Sequence, residues 1–289
     1  MSSASNAEVT GGNARRLPLV ISIQSQVAFG HVGNSAAALP MRACGVDVVE
    51  VPTTLLSNHP HYPTMRGCIL DADLVADILT GLLERDLGTR AAVILSGFMG
   101  QAETASAVAG FVRQVRAVNP RLVYACDPVM GDSDLGHFAN APLREAFRDE
   151  LVPLADVILP NAFELQTLSG IQVTGPDAVS EARAVLDCPA VVATSVPVPS
   201  RPTRLATVTT TARGCASVEV DRLPVRPAGT GDLFAGLVAA RIALGTELEA
   251  AVARAVAGVG VALSRTGTEP WAEMPITAAL DAIVAAGGD

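Results

Sequence analysis

Short apolar runs rich in Val, Leu and Ile alternate with longer Ala-rich stretches along most of the chain. The short runs predict buried strands and the longer stretches predict helices. The predicted strands are Leu17–Ile23, Val46–Val51, Ala91–Leu95, Leu122–Cys126, Val157–Leu159 and Val191–Thr194. The predicted helices are Asn34–Cys44, Asp71–Leu87, Ala102–Val118, Leu143–Leu151, Ala162–Leu168 and Ala178–Leu186. This alternation predicts an α/β fold in which a mostly parallel sheet is covered by helices on both faces.

The pattern changes after residue 200, where two Thr- and Val-rich runs precede three apolar helical runs. We predict a β-hairpin over Arg204–Thr211 and Ala216–Val220, with its turn at Arg213-Gly214. The helices predicted after this hairpin are Asp232–Leu244, Leu248–Ser264 and Ile276–Ala286. Because no linker, repeat or low-complexity break interrupts this part of the chain, we predict one three-layer α/β/α domain over residues 17–289.

The N-terminal segment and the cysteines indicate the compartment. Residues 1–16 are rich in Ser, Ala, Asn and Gly without an apolar stretch, which predicts a disordered tail and not a signal peptide. The five Cys are odd in number and include no Cys-x-x-Cys pair, which favours reduced thiols in a cytoplasmic protein. No apolar run reaches the roughly 18 residues that a membrane span needs, so we predict no membrane partner.

Charge and basic composition exclude several classes of protein. The formal net charge is −9, which argues against nucleic acid as a partner. All 20 basic residues are Arg, and the chain contains no Lys. A Walker A phosphate loop and the Schiff base of a pyridoxal-phosphate enzyme both require Lys, so both are excluded.

Polar or Gly-rich residues follow several of the predicted strands, and in open parallel sheets ligands bind beyond the carboxyl ends of the strands. These strand ends are Ser25-Gln26, Ser96-Gly97, Asp127-Pro128, Pro160-Asn161 and Thr194-Ser195. We therefore expect them to converge on one site.

The segment Gly229-Thr230-Gly231-Asp232 stands directly before a long Ala-rich run. A Gly-rich turn at a helix N-terminus binds anions through free backbone N–H groups, and we expect Gly231 to need the positive φ that such loops often use. Asp232 would then lie beside the anion, where a carboxylate can accept the proton of an attacking hydroxyl. The alternative is an ordinary Gly turn with Asp232 as a helix-start residue.

Five segments, in chain order, resemble pyridoxal kinases of the ribokinase-like superfamily. Besides Gly229–Gly236 these are Ile23-Gln24-Ser25-Gln26 with Gly30–Ala36, Ser57-Asn58-His59-Pro60-His61-Tyr62, Cys126–Asp132, and Val152–Asn161 with Glu164. The resemblance implies a ribokinase-like fold, ATP and a B6 vitamer as substrates, Mg²⁺, a monovalent cation and a homodimer. It also implies that the Gly/Asp-rich segment 131–140 is a lid over ATP.

The resemblance further implies a role for each matching position. Asp232 is the implied catalytic base, and Gly229, Thr230 and Gly231 are the implied anion hole. The implied substrate-binding residues are Ser25, His59, Pro60, Phe98 and Asp232. The implied nucleotide-binding residues are Asp127, Asn161, Thr194 and Ser195. The residues implied to lie near the metal are Asp132 and Glu164. His59 and His61 lack further candidate metal ligands, so we interpret their loop as one near the substrate.

Three departures from the family pattern concern the ligands. Many pyridoxal kinases have Thr at Pro60 and Tyr at Phe98, and some place a Lys beside the nucleotide phosphates. Arg226 is a candidate for neutralising the phosphates instead. Two alternatives to a pyridoxal kinase remain open at this point: a hydroxymethylpyrimidine kinase of the same fold, and a B6- or nucleotide-binding protein with little turnover.

Overall fold

The computed structural model describes residues 16–269 and 271–287. The strands are β1 Leu19–Val27, β2 Asp47–Leu56, β3 Gly67–Ile69, β4 Ala91–Ser96, β5 Val123–Cys126, β6 Gly131–Asp132, β7 Gly136–His137, β8 Val157–Ile158, β9 Ala190–Pro197, β10 Arg204–Thr211 and β11 Gly214–Asp221. The α-helices are α1 Asn34–Ala43, α2 Ala72–Leu83, α3 Leu87–Arg90, α4 Ala102–Val118, α5 Ala141–Ala146, α6 Ala162–Ser169, α7 Pro176–Leu186, α8 Thr230–Ala243, α9 Leu248–Ser264 and α10 Ile276–Ala285. A π-helical turn over Phe147–Leu151 and a 3₁₀ turn over Val152–Leu154 follow α5.

Nine strands form one sheet in the order β11-β10-β9-β8-β5-β4-β1-β2-β3. The pairs from β2 across to β9 are parallel, whereas β3 and the β10–β11 hairpin add antiparallel edges. The carboxyl ends of the parallel strands consequently lie along one edge of the sheet. This arrangement confirms the predicted α/β class and the mostly parallel sheet.

Two apolar cores lie on opposite faces of this sheet. Successive residues of a strand point to opposite faces, so Ile21 and Ile94 enter one core while Val20 and Val93 enter the other. The first core includes residues of α2, α4, α6 and α7, and the second includes residues of α1, α8, α9 and α10. The helices therefore cover both faces of the sheet, as the continuous apolar strands predicted.

Several boundaries differ from the sequence prediction. Strands β1 and β2 extend four and five residues beyond the predicted ends at Ile23 and Val51. Asp71–Leu87 is not one helix, because α2 ends at Leu83 and Asp86 takes a left-handed conformation with φ 56° before α3. The predicted tail over residues 1–16 lies outside the described residues except for Arg16. No helix among the described residues is long and apolar enough to cross a bilayer.

Candidate active site

The anion loop, residues 227–232, ends in the first turn of α8. Gly229 is the N-cap residue, and the first helical hydrogen bond runs from the Leu233 N–H to the Gly229 carbonyl at 2.9 Å. The N–H groups of Thr230, Gly231 and Asp232 therefore have no partner within the helix. Together with the helix dipole, these amides are suited to bind an anion beside the Asp232 carboxylate.

The residue that needs glycine in this loop is Gly229, and the expectation of a positive φ at Gly231 is wrong. Gly229 has φ 78°, and a Cβ there would lie 1.7 Å from the carbonyl oxygen of His31. Gly231 belongs to α8, where a Cβ would meet open space. The difference arises because the helix begins at Thr230, two residues before the predicted start.

Ser25, near the end of β1, contacts the loop that follows this strand, and that loop in turn contacts the anion loop. The pairing of β1 with β2 is irregular between Gln24 and Gln26, so Ser25 stands at a bulge. A Cβ on Gly33 would lie 2.1 Å from the Ser25 carbonyl oxygen and 2.5 Å from Ser25 Oγ. Gly33 has φ 53° and directly precedes α1. Ser25, the Gly30–Gly33 loop and Gly229 are thus in close contact.

Three carboxylates, those of Asp127, Glu164 and Asp232, lie close enough to influence one another. Burial raises the pKa of Asp127 well above its usual value, and the charges of Glu164 and Asp232 raise it further. Burial raises the pKa of Glu164 to about 7, although three backbone hydrogen bonds favour the charged form and lower it in part. Burial also raises the pKa of the partly accessible Asp232, while the Gly33 backbone amide lowers it. Such a cluster is stabilised by a cation that offsets the shared negative charge.

Three of the predicted nucleotide-binding residues, Asn161, Thr194 and Ser195, lie together just after β8 and within β9. Asn161 and Glu164 form a capping box at the start of α6, with the Asn161 side chain accepting from the Glu164 N–H and Glu164 Oε2 accepting from the Asn161 N–H, both at 2.9 Å. The Thr194 N–H donates to the Pro160 carbonyl at 2.9 Å, and Thr194 pairs with Asn161 in an isolated parallel bridge. Ser195 follows in a left-handed conformation with φ 56°.

The lid segment 131–140 contains the β6–β7 hairpin, which the sequence pattern did not predict. Glu164 Oε1 accepts from the Met130 N–H at 2.9 Å, and Asn161 Nδ2 donates to the Gly131 carbonyl at 2.8 Å. The capping box of α6 therefore also fixes the start of the lid. The role of this segment as a lid over ATP stays a prediction.

Asp132 holds the tip of the lid. Its Oδ1 accepts from the N–H groups of Asp134 and Leu135, each at 2.8 Å, and its Oδ2 lies 3.8 Å from Arg226. Arg226 also pairs with Asp134. This Arg, which directly precedes the anion loop, consequently connects that loop to the lid.

The predicted substrate-side residues differ in accessibility. Phe98 is half-buried, and its ring lies edge-on to the lid residue Phe138 with centroids 6.2 Å apart. Pro60 is exposed. His59 is fully buried, with Nδ1 accepting from the His61 N–H at 3.3 Å and Nε2 lying 2.9 Å from Glu273 Oε1. In this conformation both ring nitrogens of His59 face protein groups.

Glu273 contacts a predicted substrate-binding residue, and no feature of the sequence indicated it. It precedes α10 and belongs to no recognisable motif, and the structure brings it against His31, His59 and Tyr62. Among the described residues, no group of three or more His, Cys, Asp or Glu side chains is arranged as a metal site. The shared charge of Asp127, Glu164 and Asp232 nonetheless fits a hard cation, because Mg²⁺ in phosphate sites takes one or two carboxylates and completes its shell with water and phosphates.

We expect the ligand-free protein to lose stability as the pH rises from 4.5 to about 7, the ordinary and folded-state pKa values of Glu164. Because the folded state binds this proton more tightly, the stabilisation is complete below the lower value and is lost as the pH rises through the higher one. The loss is on the order of 1 kcal/mol for each pH unit between the two pKa values. Thermal unfolding across this window measures it.

Glu164→Gln should reduce this pH dependence and leave the part that comes from the raised pKa values of Asp127 and Asp232, whereas Glu145→Gln, at an exposed position of α5, should keep the wild-type slope. A wild-type stability that rises through the window would contradict the assignment, and so would an unchanged slope in Glu164→Gln.

Comparisons with known proteins agree with this geometry. The sequence profile of the phosphomethylpyrimidine kinase family matches residues 41–271. The chain is 36% identical to the pyridoxal kinase of Rubrobacter xylanophilus over 271 residues, which cover 92% of this chain and 93% of that protein. It is 39% identical to the pyridoxine/pyridoxal/pyridoxamine kinase of Bordetella avium over 237 residues, covering 81% of this chain and 80% of that protein.

Solved structures extend the similarity to the fold. The pyridoxal kinase of Leishmania donovani in complex with ADP and pyridoxine matches with a TM-score of 0.84 at 31% identity, covering 92% of this chain and 94% of that chain. The pyridoxal kinase of Trypanosoma brucei matches with a TM-score of 0.81 at 27% identity, covering 92% of this chain and 95% of that chain. These matches confirm the predicted ribokinase-like fold. The chain belongs to the phosphomethylpyrimidine kinase family, and within it to the pyridoxal kinases.

Proposed function

We propose that the protein transfers the γ-phosphoryl group of ATP to the 5′-hydroxymethyl group of pyridoxal or another B6 vitamer, giving the 5′-phosphate in B6 salvage. The observation that carries the proposal is Asp232 in the first turn of α8, beside three backbone N–H groups without helical partners. The related Leishmania donovani structures hold ADP with pyridoxine or pyridoxamine, which supports the same pair of substrates here.

In the proposed reaction Asp232 accepts the proton of the attacking hydroxyl. Its raised pKa makes it a stronger base than an exposed Asp, which favours proton transfer near neutral pH. The N–H groups of Thr230, Gly231 and Asp232 stabilise negative charge on the transferring phosphoryl group. Ser25, in contact with the Gly33 backbone, is our candidate for the hydrogen bond to the heterocycle.

We assign the nucleotide to the region just after β5 and β8 and beside the middle of β9, where Asp127, Asn161, Thr194 and Ser195 lie. The lid from Gly131 onward would cover the phosphates and exclude water, which competes with the acceptor hydroxyl. Arg226 is the cation nearest in sequence to the anion loop, and its ion pairs with the lid place it between the two. It is our candidate for the role that Lys has in some relatives.

Mg²⁺ is the proposed metal, with Asp132 and Glu164 close to it and Asp127 adding negative charge. A bound Mg²⁺ would neutralise the triphosphate and orient it. The backbone bonds that occupy Glu164 and Asp132 favour an indirect role, through water and the lid, over a full set of protein ligands. A monovalent cation stays a prediction from the resemblance.

A hydroxymethylpyrimidine kinase is the second candidate, because Pro60 and Phe98 offer no hydroxyl to a pyridine substrate. An assay of ADP release with pyridoxal, pyridoxine, pyridoxamine and hydroxymethylpyrimidine separates the candidates. Turnover of the vitamers supports the proposal, and a clear preference for the pyrimidine would replace pyridoxal as the acceptor. Binding without ADP release would indicate a binding protein.

We expect Phe98→Tyr to lower the KM for pyridoxal about threefold to tenfold with little change in kcat, because a recovered hydrogen bond to a buried polar atom is worth roughly 1 kcal/mol. Phe98 is half-buried and its ring lies edge-on to that of the lid residue Phe138, so the side chain borders the lid. Steady-state kinetics with each vitamer measure the effect, and Pro60→Thr tests the second missing hydroxyl. An unchanged KM for pyridoxal, with a wild-type preference for hydroxymethylpyrimidine, would show a pocket built for another heterocycle.

We further propose that the protein is cytoplasmic and homodimeric, and that residues 17–289 act as one kinase domain. The five unpaired cysteines, Cys44, Cys68, Cys126, Cys188 and Cys215, are compatible with a reducing compartment. Size measurement in solution tests the dimer.

A further inference from the structure

The Glu273 carboxylate connects two loops of the substrate side. Its Oε2 accepts a hydrogen bond from the His31 backbone N–H at 3.0 Å and lies 3.2 Å from His31 Nδ1. Its Oε1 accepts from the Tyr62 hydroxyl at 3.2 Å. The side chain is only 19% exposed, so these polar partners replace most of the water that a carboxylate would otherwise bind.

The same carboxylate faces the buried ring of His59. Because the His61 N–H donates to Nδ1, the neutral His59 ring carries its proton on Nε2. Nε2 lies 2.9 Å from Glu273 Oε1, although not in the alignment of a good hydrogen bond. The ring of Tyr62 lies against His59 with centroids 4.6 Å apart. Glu273 thus holds the His59–Tyr62 loop through both of its aromatic members.

The contact continues from Glu273 to the anion loop. A Cβ on Gly30 would lie 2.3 Å from Glu273 Oε1, so the carboxylate sits directly against the Gly30–His31 backbone. On its other side, the His31 carbonyl packs against Gly229, where a Cβ would lie 1.7 Å away. One carboxylate therefore fixes the loop that separates the His59–Tyr62 loop from Gly229.

We propose that Glu273 is a positioning residue for the acceptor substrate, which holds the Gly30–His31 loop and the His59–Tyr62 loop in the arrangement that receives the hydroxymethyl heterocycle. The inference rests on the proposed function. The polar partners of the Glu273 carboxylate in the described part of the chain are His31, His59 and Tyr62. The proposed nucleotide-binding residues Asn161, Thr194 and Ser195 are not among them. Loss of the Glu273 carboxylate should therefore raise the KM for the acceptor far more than the KM for ATP.

The test is steady-state kinetics of Glu273→Gln, with the KM for pyridoxal and for ATP measured separately. Gln presents an amide NH₂ to partners that are themselves donors, so we expect the KM for pyridoxal to rise about tenfold or more, the factor that about one lost charge-assisted hydrogen bond gives. The KM for ATP should stay within about twofold. Glu269→Gln makes the same charge change at an exposed position four residues earlier and should match wild type.

A double variant distinguishes positioning from general destabilisation. Because Glu273 acts in part through the His59 loop, Glu273→Gln should raise the KM for pyridoxal by a smaller factor in the His59→Gln background than in wild type, since the two changes share one contact. Where Glu273→Gln does not fold, Tyr62→Phe removes a single partner and should raise the same KM about twofold to threefold.

Three results would each overturn the inference. The first is an equal increase in the KM for pyridoxal and the KM for ATP, and the second is an additive effect of Glu273→Gln and His59→Gln. The third is wild-type kinetics in both Glu273→Gln and Tyr62→Phe. Failure of the proposed function differs from these results. Wild-type protein that uses another heterocycle would refute pyridoxal as the acceptor and leave the Glu273 effect measurable on that heterocycle. Wild-type protein without any turnover would refute both.

Discussion

Asp232→Asn is expected to lower kcat for phosphoryl transfer by about 10² or more, the scale of a lost general base. The amide has nearly the shape of the carboxylate but cannot accept the hydroxyl proton. The backbone N–H groups of residues 230–232 remain in this variant, so binding of the nucleotide phosphates should change little. The expected signature is a large loss in kcat with a nearly unchanged KM for ATP.

Single-turnover and steady-state kinetics with pyridoxal measure this effect. Asp177→Asn is a matched control, because Asp177 is also an acidic residue in the first turn of a helix, at an exposed position of α7. This control should lose a little helix stability and no activity. A kcat near wild type in Asp232→Asn would remove Asp232 from the mechanism and return it to the helix-start role.

Gly229→Ala should reduce kcat/KM about 100-fold or more, because the alanine has to displace either the anion loop or the Gly30–His31 loop. The methyl group would lie 1.7 Å from the backbone carbonyl of His31, a contact that no side-chain rotation relieves. The left-handed conformation adds roughly 1–2 kcal/mol of backbone strain. A shift of about 1 Å at this position moves the anion-binding amides relative to the acceptor, which costs about 10²-fold in rate.

Two further variants separate the effect of backbone strain at a left-handed glycine from the effect of the steric clash with His31. Gly245→Ala introduces the same left-handed strain at φ 82° with no atom within 4 Å of the new Cβ, so it should lower the unfolding temperature and preserve the kinetics. Gly231→Ala adds a methyl group in open space at the anion site and should raise the KM for ATP without destabilising the fold. If Gly229→Ala were as active as Gly245→Ala, the close contact between the anion loop and the Gly30–His31 loop would not matter for catalysis, and the prediction would be wrong.

The sequence predicted best those elements whose pattern is long and local. Helix α4 has the predicted bounds of Ala102–Val118, and β10 and α9 also agree at both ends. The hydrophobic period over many residues determines such elements. The three-residue β3 and the β6–β7 hairpin were missed because pairs of two or three residues leave no periodic signal.

The candidate site was predictable where one segment contains the chemistry. The anion loop, Asp232 and the α6 capping box each lie within a few residues of sequence, so their local geometry follows from residue type. The burial of His59 and the role of Glu273 arise between distant segments, and no spacing rule connects them. The choice between Gly229 and Gly231 depended on where α8 begins, which is the least certain feature of a helix in a sequence.

The hydrogen bond between His31 and Glu273 joins residues that are 242 positions apart. At a translation rate of about 5–20 residues per second, roughly 10–50 s pass between synthesis of the two partners. During that interval the Gly30–His31 loop has no carboxylate to bind, and helices α8 and α9 do not yet cover the apolar face of β1 and β4. The apolar face of β1 and β4 therefore receives its covering helices only late in synthesis.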